Sequence, residues 1–318
     1  MKKIYVTSEC PVARIGDRMK TVISCFIFAE LLNAEIITNE SWSSFDSFQK
    51  FINNVYEKKG SDKMDFTPII NQKTYNSFFK TEIQNNYETI TIEDKNYGGY
   101  TYEQFLGIKE QVDNSKSDCV LLSFKGVCRI NPHDLLEWEK ESKIELGSCE
   151  RFIKLLRKLY FFEKGGPQKI DDLVCIHVRR GDMISNPEYS KTADKMLKRD
   201  FKYYQLLIRH INRQYKNKNK TPTIELHTEI IGSQDLDKLS EEENTKIIKG
   251  GYAADSSPNY LNPIDQFHRL CIAEEFYMYN SGFSTLASYL NPNNVFVPHF
   301  VWLKNFVGLD NVQKLQQL

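Results

Sequence analysis

Two adjacent arginines followed by glycine and an acid, Arg179-Arg180-Gly181-Asp182, close the apolar run LVCIHV at 173–178. Neighbouring guanidinium groups repel unless an anion lies between them. Their planar forks of donors, charged at any working pH, match the oxygens of a diphosphate. A plain ion pair between Arg180 and Asp182 uses the same residues without a ligand. A second cluster, Ser281-Gly282-Phe283-Ser284-Thr285, stands where a short strand gives way to a helix. Hydroxyls and N–H groups at a helix N-terminus cradle phosphate, and an ordinary N-cap by Ser281 or Ser284 is the alternative. Between the clusters, the run NPIDQFH at 262–268 offers Asp265 and His268, which also read as an N3 carboxylate in a capping box begun by Asn262 and a packed helix residue. Arg14, Gly16, Asp17 and Arg18 form a loop near the start of the chain. Asp17 could accept a proton there, or cap a helix, or pair with Arg14 or Arg18. Asp235-Leu236-Asp237 has the D-x-D spelling of a cation site but lies in a polar run expected to be exposed, so no metal is expected.

The elements that must hold these residues read as α/β. Residues 2–7 (KKIYVT) form a strand, a helix covers about 20–32, and 34–38 form a second strand, a βαβ unit of the kind that builds parallel sheets. Residues 40–118, rich in Asn, Lys, Phe and Tyr, show weak periodicity and predict short helices and loops, followed by a strand at 119–124. Helical patterns occupy 132–143 and 150–162. The segment EKGGPQK at 163–169 then reads as an interdomain connection, giving domains 1–164 and 165–318. In the second half strands are expected at 173–178, 223–227, 245–250, 277–280 and 294–297. Helices are expected at about 200–215, 263–276 and 283–290. Ligands of such sheets lie at the carboxyl ends of the strands, where the arginines stand.

The chain has 318 residues, 41% hydrophobic and 26% charged, with Lys plus Arg and Asp plus Glu at 42 each. A folded protein of about two domains follows, with no overall charge to favour nucleic acid. The seven cysteines are odd in number and lack C-x-x-C spacing, so they read as reduced thiols, with Cys25, Cys175 and Cys271 inside apolar runs. The start MKKIYVTSEC is too short in apolar residues for a secretory segment, and 22–37 is broken by Glu30, Asn33 and Glu35. No membrane span and a cytoplasmic location are expected.

The string HVRRGD at 177–182 resembles the H-x-R-R-G-D motif of the fucosyltransferases that use GDP-fucose, a group including α1,2-, α1,6- and protein O-fucosyltransferases. DQFHRLCIAE at 265–274 with SGFSTLASYL at 281–290 resembles the late donor-binding segment of that family, and ARIGDR at 13–18 its N-terminal loop. The patches stand in family order over nearly the whole chain.

The resemblance implies a GT-B fold, two Rossmann-like domains facing across a cleft. It implies inverting, metal-independent transfer of L-fucose from GDP-fucose to a glycan hydroxyl, with no cofactor. Residues 165–318 would bind the donor and 1–164 the acceptor. His177 would touch base or ribose, Arg179 the diphosphate, and Arg180 and Asp182 would support it. Ser281, Phe283, Ser284 and Thr285 would line the nucleotide and phosphates, with Asp265 and His268 beside them. Asp17 would be the base, although several family members carry asparagine there, and Arg14 replaces the first glycine of the loop. A fixed cation at Arg179 would stabilise charge growing on the departing diphosphate more than it stabilises the ground state. His227-Thr228-Glu229 stands where some members carry acidic residues that read guanine. The alternatives are therefore another donor such as UDP-xylose, or a non-catalytic nucleotide- or sugar-binding module.

Overall fold

The computed structural model describes residues 2–9, 31–38, 70–74, 87–93, 100–125, 130, 134–142, 168–180, 201–229, 234–250, 259–261, 263–279, 281–297 and 311–314, and scattered positions within 21–29 and 153–161. The chain divides into two compact units, Met1–Glu163 and Lys164–Leu318.

The first unit is built on β1 (Lys3–Glu9), β2 (Glu35–Thr38), β3 (Ile70–Thr74), β4 (Tyr87–Glu93) and β5 (Cys119–Lys125). These form a five-stranded sheet in the order β3-β2-β1-β5-β4, parallel throughout. Cys119 to Phe124 are all buried, the mark of a strand covered on both faces. Phe28 packs its ring 4.6 Å from that of Phe124 and edge-on to Tyr100 at 5.6 Å, and the described residues between 21 and 32 are helical up to Leu32. Helix α1 (Tyr102–Asn114) starts with a complete capping box, Thr101 with Gln104, and buries Phe105, Ile108 and Val112. Helix α2 (Asp134–Ser142) follows, its Trp138 ring 5.3 Å from Phe105. The stretch 40–118, expected to hold only short helices and loops, thus contains β3, β4 and the 13-residue α1. β4 buries one side chain of seven, Ile90, so its hydrophobic signal is that of an edge strand.

The second unit is a seven-stranded parallel sheet of β6 (Ile170–Val178), β7 (Thr223–Glu229), β8 (Thr245–Gly250), β9 (Tyr260–Leu261), β10 (Ala273–Tyr277), β11 (Asn294–Val297) and β12 (Val312–Lys314). Its order is β12-β11-β10-β6-β7-β8-β9. From β6 the chain winds outward through β7, β8 and β9, returns to lay β10 on the other flank of β6, and winds outward again. The β6/β10 seam is therefore the point where strand order reverses, the place at which doubly wound sheets open a crevice for ligands.

Alternation sorts the two faces. Val174, Ile176, Val178, Ile224 and Leu226 join one apolar cluster with Tyr204, Leu207, Ile208 and Ile211 of helix α3 (Phe201–Asn217) and with Leu236 and Leu239 of the 3-10 helix Gln234–Glu241. The alternate residues Cys175, His177, Glu225 and His227 are directed toward α4 (Pro263–Ile272) and α5 (Gly282–Leu290), which supply Arg269 and Ser284. At the far end of β6, the register to β10 shifts between Ala273 and Glu275. Asp172 sits there in the left-handed region, φ 58°, its N–H bonded to Glu274 and its carboxylate to Lys220.

Two sequence boundaries need correction. The helix expected over 263–276 ends at Ile272, and the strand expected at 277–280 is Ala273–Tyr277. Neither Gly nor Pro separates helix from strand there, so no punctuation marks the change. Beyond the five expected strands stand β9 and β12, two and three residues long. The cysteines at 25, 119, 175 and 271 are free and buried. Among the described residues no helix is long and apolar enough to cross a membrane.

Candidate functional site

His177 and Arg179 stand at the carboxyl end of β6, on the flank where β10 leads through residues 278–279 into α5. Ser281 caps that helix from extended backbone, φ −148° and ψ 156°, its Oγ accepting the Ser284 N–H at 3.1 Å. Thr285 Oγ1 donates back to the Ser281 carbonyl at 2.9 Å. The N-cap reading of Ser281 therefore holds. The cap leaves the first-turn N–H groups of Gly282 and Phe283 without intrahelical acceptors, as helix geometry requires, at the end whose dipole favours an anion. The Phe283 ring lies 5.5 Å from His177 and, edge-on, 5.2 Å from Phe267.

Ser284 is 0% exposed. Its Oγ accepts the Tyr279 N–H at 3.2 Å and meets His177 Nδ1 at 2.5 Å. His177 is half-buried. Even so, burial, then His227 directly across in register, then the charge of Arg179 bring its pKa down to about 3. It is a neutral imidazole at working pH.

The two arginines diverge. Arg180 is 7% exposed and directs Nη2 to Asp235 Oδ2 of the 3-10 helix at 3.1 Å, on the α3 side of the sheet. Arg179 lies close enough to His177 for its charge to oppose a second one. Among the described residues Arg180 pairs with Asp235. Alternation past the strand end sends neighbours to opposite faces. Asp182 lies outside the described residues, as do Arg14, Gly16, Asp17 and Arg18. Asp265 is exposed on the first turn of α4, and His268 is half-buried one turn on.

Behind the tip runs a buried polar column. Glu225 accepts two hydrogen bonds from Arg269, 2.8 and 2.7 Å, and one from His227 Nε2 at 3.2 Å. Burial pushes the Glu225 carboxyl up, but Arg269 and then His227 outweigh it and hold the pKa down to about 2. Burial lowers the pKa of His227 against the pull of Glu225. Cys175, Glu225 and His227 are close enough to ligate one ion. Burial pushes the Cys175 thiol well up, however, and both Glu225 oxygens already face the Arg269 guanidinium, so a cation would have to displace an arginine. The D-x-D carboxylates are likewise matched, Asp235 to Arg180 and Asp237 to Lys249 at 2.8 Å.

Sequence reasoning missed Glu225 and Arg269, and weighed Asp235 only as part of a D-x-D cation site. The period-2 alternation of TIELHTE could have set Glu225 and His227 on the face of His177. No local signal pairs Arg180 with a residue 55 positions away.

No family model and no curated protein matches the chain. Solved structures do. Fucosyltransferases are among them. A mutant of Arabidopsis thaliana FUT1 in complex with GDP is similar over 96% of this chain and 72% of its own, with 10% identity and a TM-score of 0.44. POFUT1 in complex with GDP is similar over 93% of this chain and 98% of its own, with 11% identity and a TM-score of 0.46. The NodZ α-1,6-fucosyltransferase co-crystallised with GDP is similar over 92% and 94%, with 11% identity and a TM-score of 0.37.

Proposed function

We propose that this chain is a GT-B glycosyltransferase that binds a nucleoside-diphosphate sugar on residues 165–318 and transfers L-fucose from GDP-fucose, with inversion and without a metal, to a glycan hydroxyl on the side of residues 1–164. One observation carries the reading. A cation, Arg179, and a neutral imidazole, His177, stand at the β6 strand end where strand order reverses, beside the N-terminus of α5.

In this reading Arg179 and the N–H groups of Gly282 and Phe283 receive the charge that grows on the diphosphate as the sugar–phosphate bond breaks. They stabilise the transition state more than the bound donor. Phe283 gives a flat wall against which a base or sugar can lie, and His177 offers it a polar edge. Arg180, paired with Asp235, ties the end of β6 to the 3-10 helix. Asp17 takes the proton of the attacking hydroxyl.

Calorimetric titration with GDP and UDP tests the donor. Micromolar binding of GDP, weakened by an order of magnitude or more in Arg179→Ala, is expected, and binding of UDP alone would replace the fucosyl reading with a UDP-sugar one such as UDP-xylose. Transfer or hydrolysis of GDP-fucose that persists in EDTA is expected of the enzyme. Its complete absence beside intact GDP binding would leave a binding module.

A further inference from the structure

Ser284 carries one hydroxyl proton in a fully buried site, and its Oγ already accepts the Tyr279 N–H, a group that can only donate. Among the described residues its one remaining partner is His177 Nδ1. Were Nδ1 to carry a proton, Oγ would accept twice and its own proton would be buried without an acceptor, the costly case for a hydroxyl. Satisfying every group requires the serine to donate to Nδ1, which leaves the imidazole proton on Nε2. Nε2 has no partner among the described residues, and His177 is only half-buried beside Phe283, so this proton is left for a ligand.

We propose that Ser284 is a positioning residue that locks His177 in the Nε2–H tautomer, so that the ring meets a nucleotide as a neutral hydrogen-bond donor. The lock is a property of the protein alone, while the nucleotide as its target rests on the function proposed above. The group opposite Nε2 is then an acceptor: a base carbonyl or ring nitrogen, a ribose oxygen, or a phosphate oxygen. A ligand that offers only a donor there is rejected, because two N–H groups would face each other. In this proposal Ser284, expected from the resemblance to line the nucleotide and phosphates, acts through His177.

Long-range 1H–15N correlation spectra of the ligand-free full chain, labelled at its six histidines and assigned with His177→Gln, test this directly. The expected result for the wild type is a protonated Nε2 and an unprotonated Nδ1 at His177 across pH 6 to 8. A proton on Nδ1, or on both nitrogens, overturns the proposal. In Ser284→Ala the tautomers are expected to mix, and the dissociation constant for GDP to rise roughly tenfold, the usual scale of one lost hydrogen bond. An unchanged tautomer in that variant overturns the positioning role. Should Ser284→Ala fail to fold, the wild-type spectrum still decides. A protonated Nε2 together with no binding of GDP or UDP would keep the lock and remove the nucleotide reading.

Discussion

Arg179 and Arg180 adjoin in sequence and differ in what their removal should do. Arg179→Ala is expected to lower kcat/KM for the donor by about two to three orders of magnitude, the scale for deleting a preorganised charge at a leaving group. Arg180 answers to Asp235, a carboxylate that is 51% exposed. Arg180→Ala leaves that carboxylate in water and should cost about 1–2 kcal/mol of stability, whereas Asp235→Ala strands a buried guanidinium and should cost more, about 2–3 kcal/mol. Urea unfolding of the two variants in parallel decides, and equal or reversed costs would mean that Asp235 does not hold Arg180. The strand end at HVRRGD was legible because a buried apolar run followed by charged residues and glycine is a local signal. That Arg180 pairs with Asp235 was not legible, because that partner lies on a different element.

At the scale of elements, the tips of β7 and β8 are tied together by Gln266 of α4, buried, with Nε2 reaching the carbonyls of Thr228 and Ile248 at 3.5 and 3.4 Å. Gly250 at the end of β8 makes room for it, since a Cβ there would stand 2.3 Å from Gln266 Cδ. Gly250→Ala must therefore expel a buried amide, and a loss of about 1–3 kcal/mol in thermal or urea unfolding is expected. Gly250→Ala combined with Gln266→Ala should recover part of that loss, and a double variant as unstable as the sum of the singles would refute the contact. Strands such as β5 and β6 could be read from sequence because burial on both faces writes a continuous apolar run. The edge strands β3, β4, β9 and β12 could not, being short or covered on one side only. Helix α1 does carry a local signal, the capping-box spacing Thr101-x-x-Gln104.

For the second unit as a whole, the polar column from Arg269 to His177 couples folding to pH. His177 has a folded pKa of about 3 and His227 a lowered one, both against an ordinary value of 6.5. Below pH 6.5 the unfolded chain takes up protons that the folded one refuses, so stability falls as pH falls, while above 6.5 both states are neutral and there is no effect. Glu225 adds stability that is present above about pH 4.5 and is lost as pH falls toward about 2, so it contributes nothing to a change between pH 7.5 and 5.5. In that window the buried imidazoles supply the loss, about 1.4 kcal/mol for His177 by pH 5.5, and Glu275, whose carboxyl burial pushes up, opposes it. Hydrogen exchange of the β6 amides reports the opening of this unit by itself. Their protection free energy should drop by about 1–2 kcal/mol from pH 7.5 to 5.5, and by less in His177→Gln. Protection free energies that stay level across the window would show that both rings take up protons inside the folded unit, against the burial and the neighbouring charge that hold them neutral.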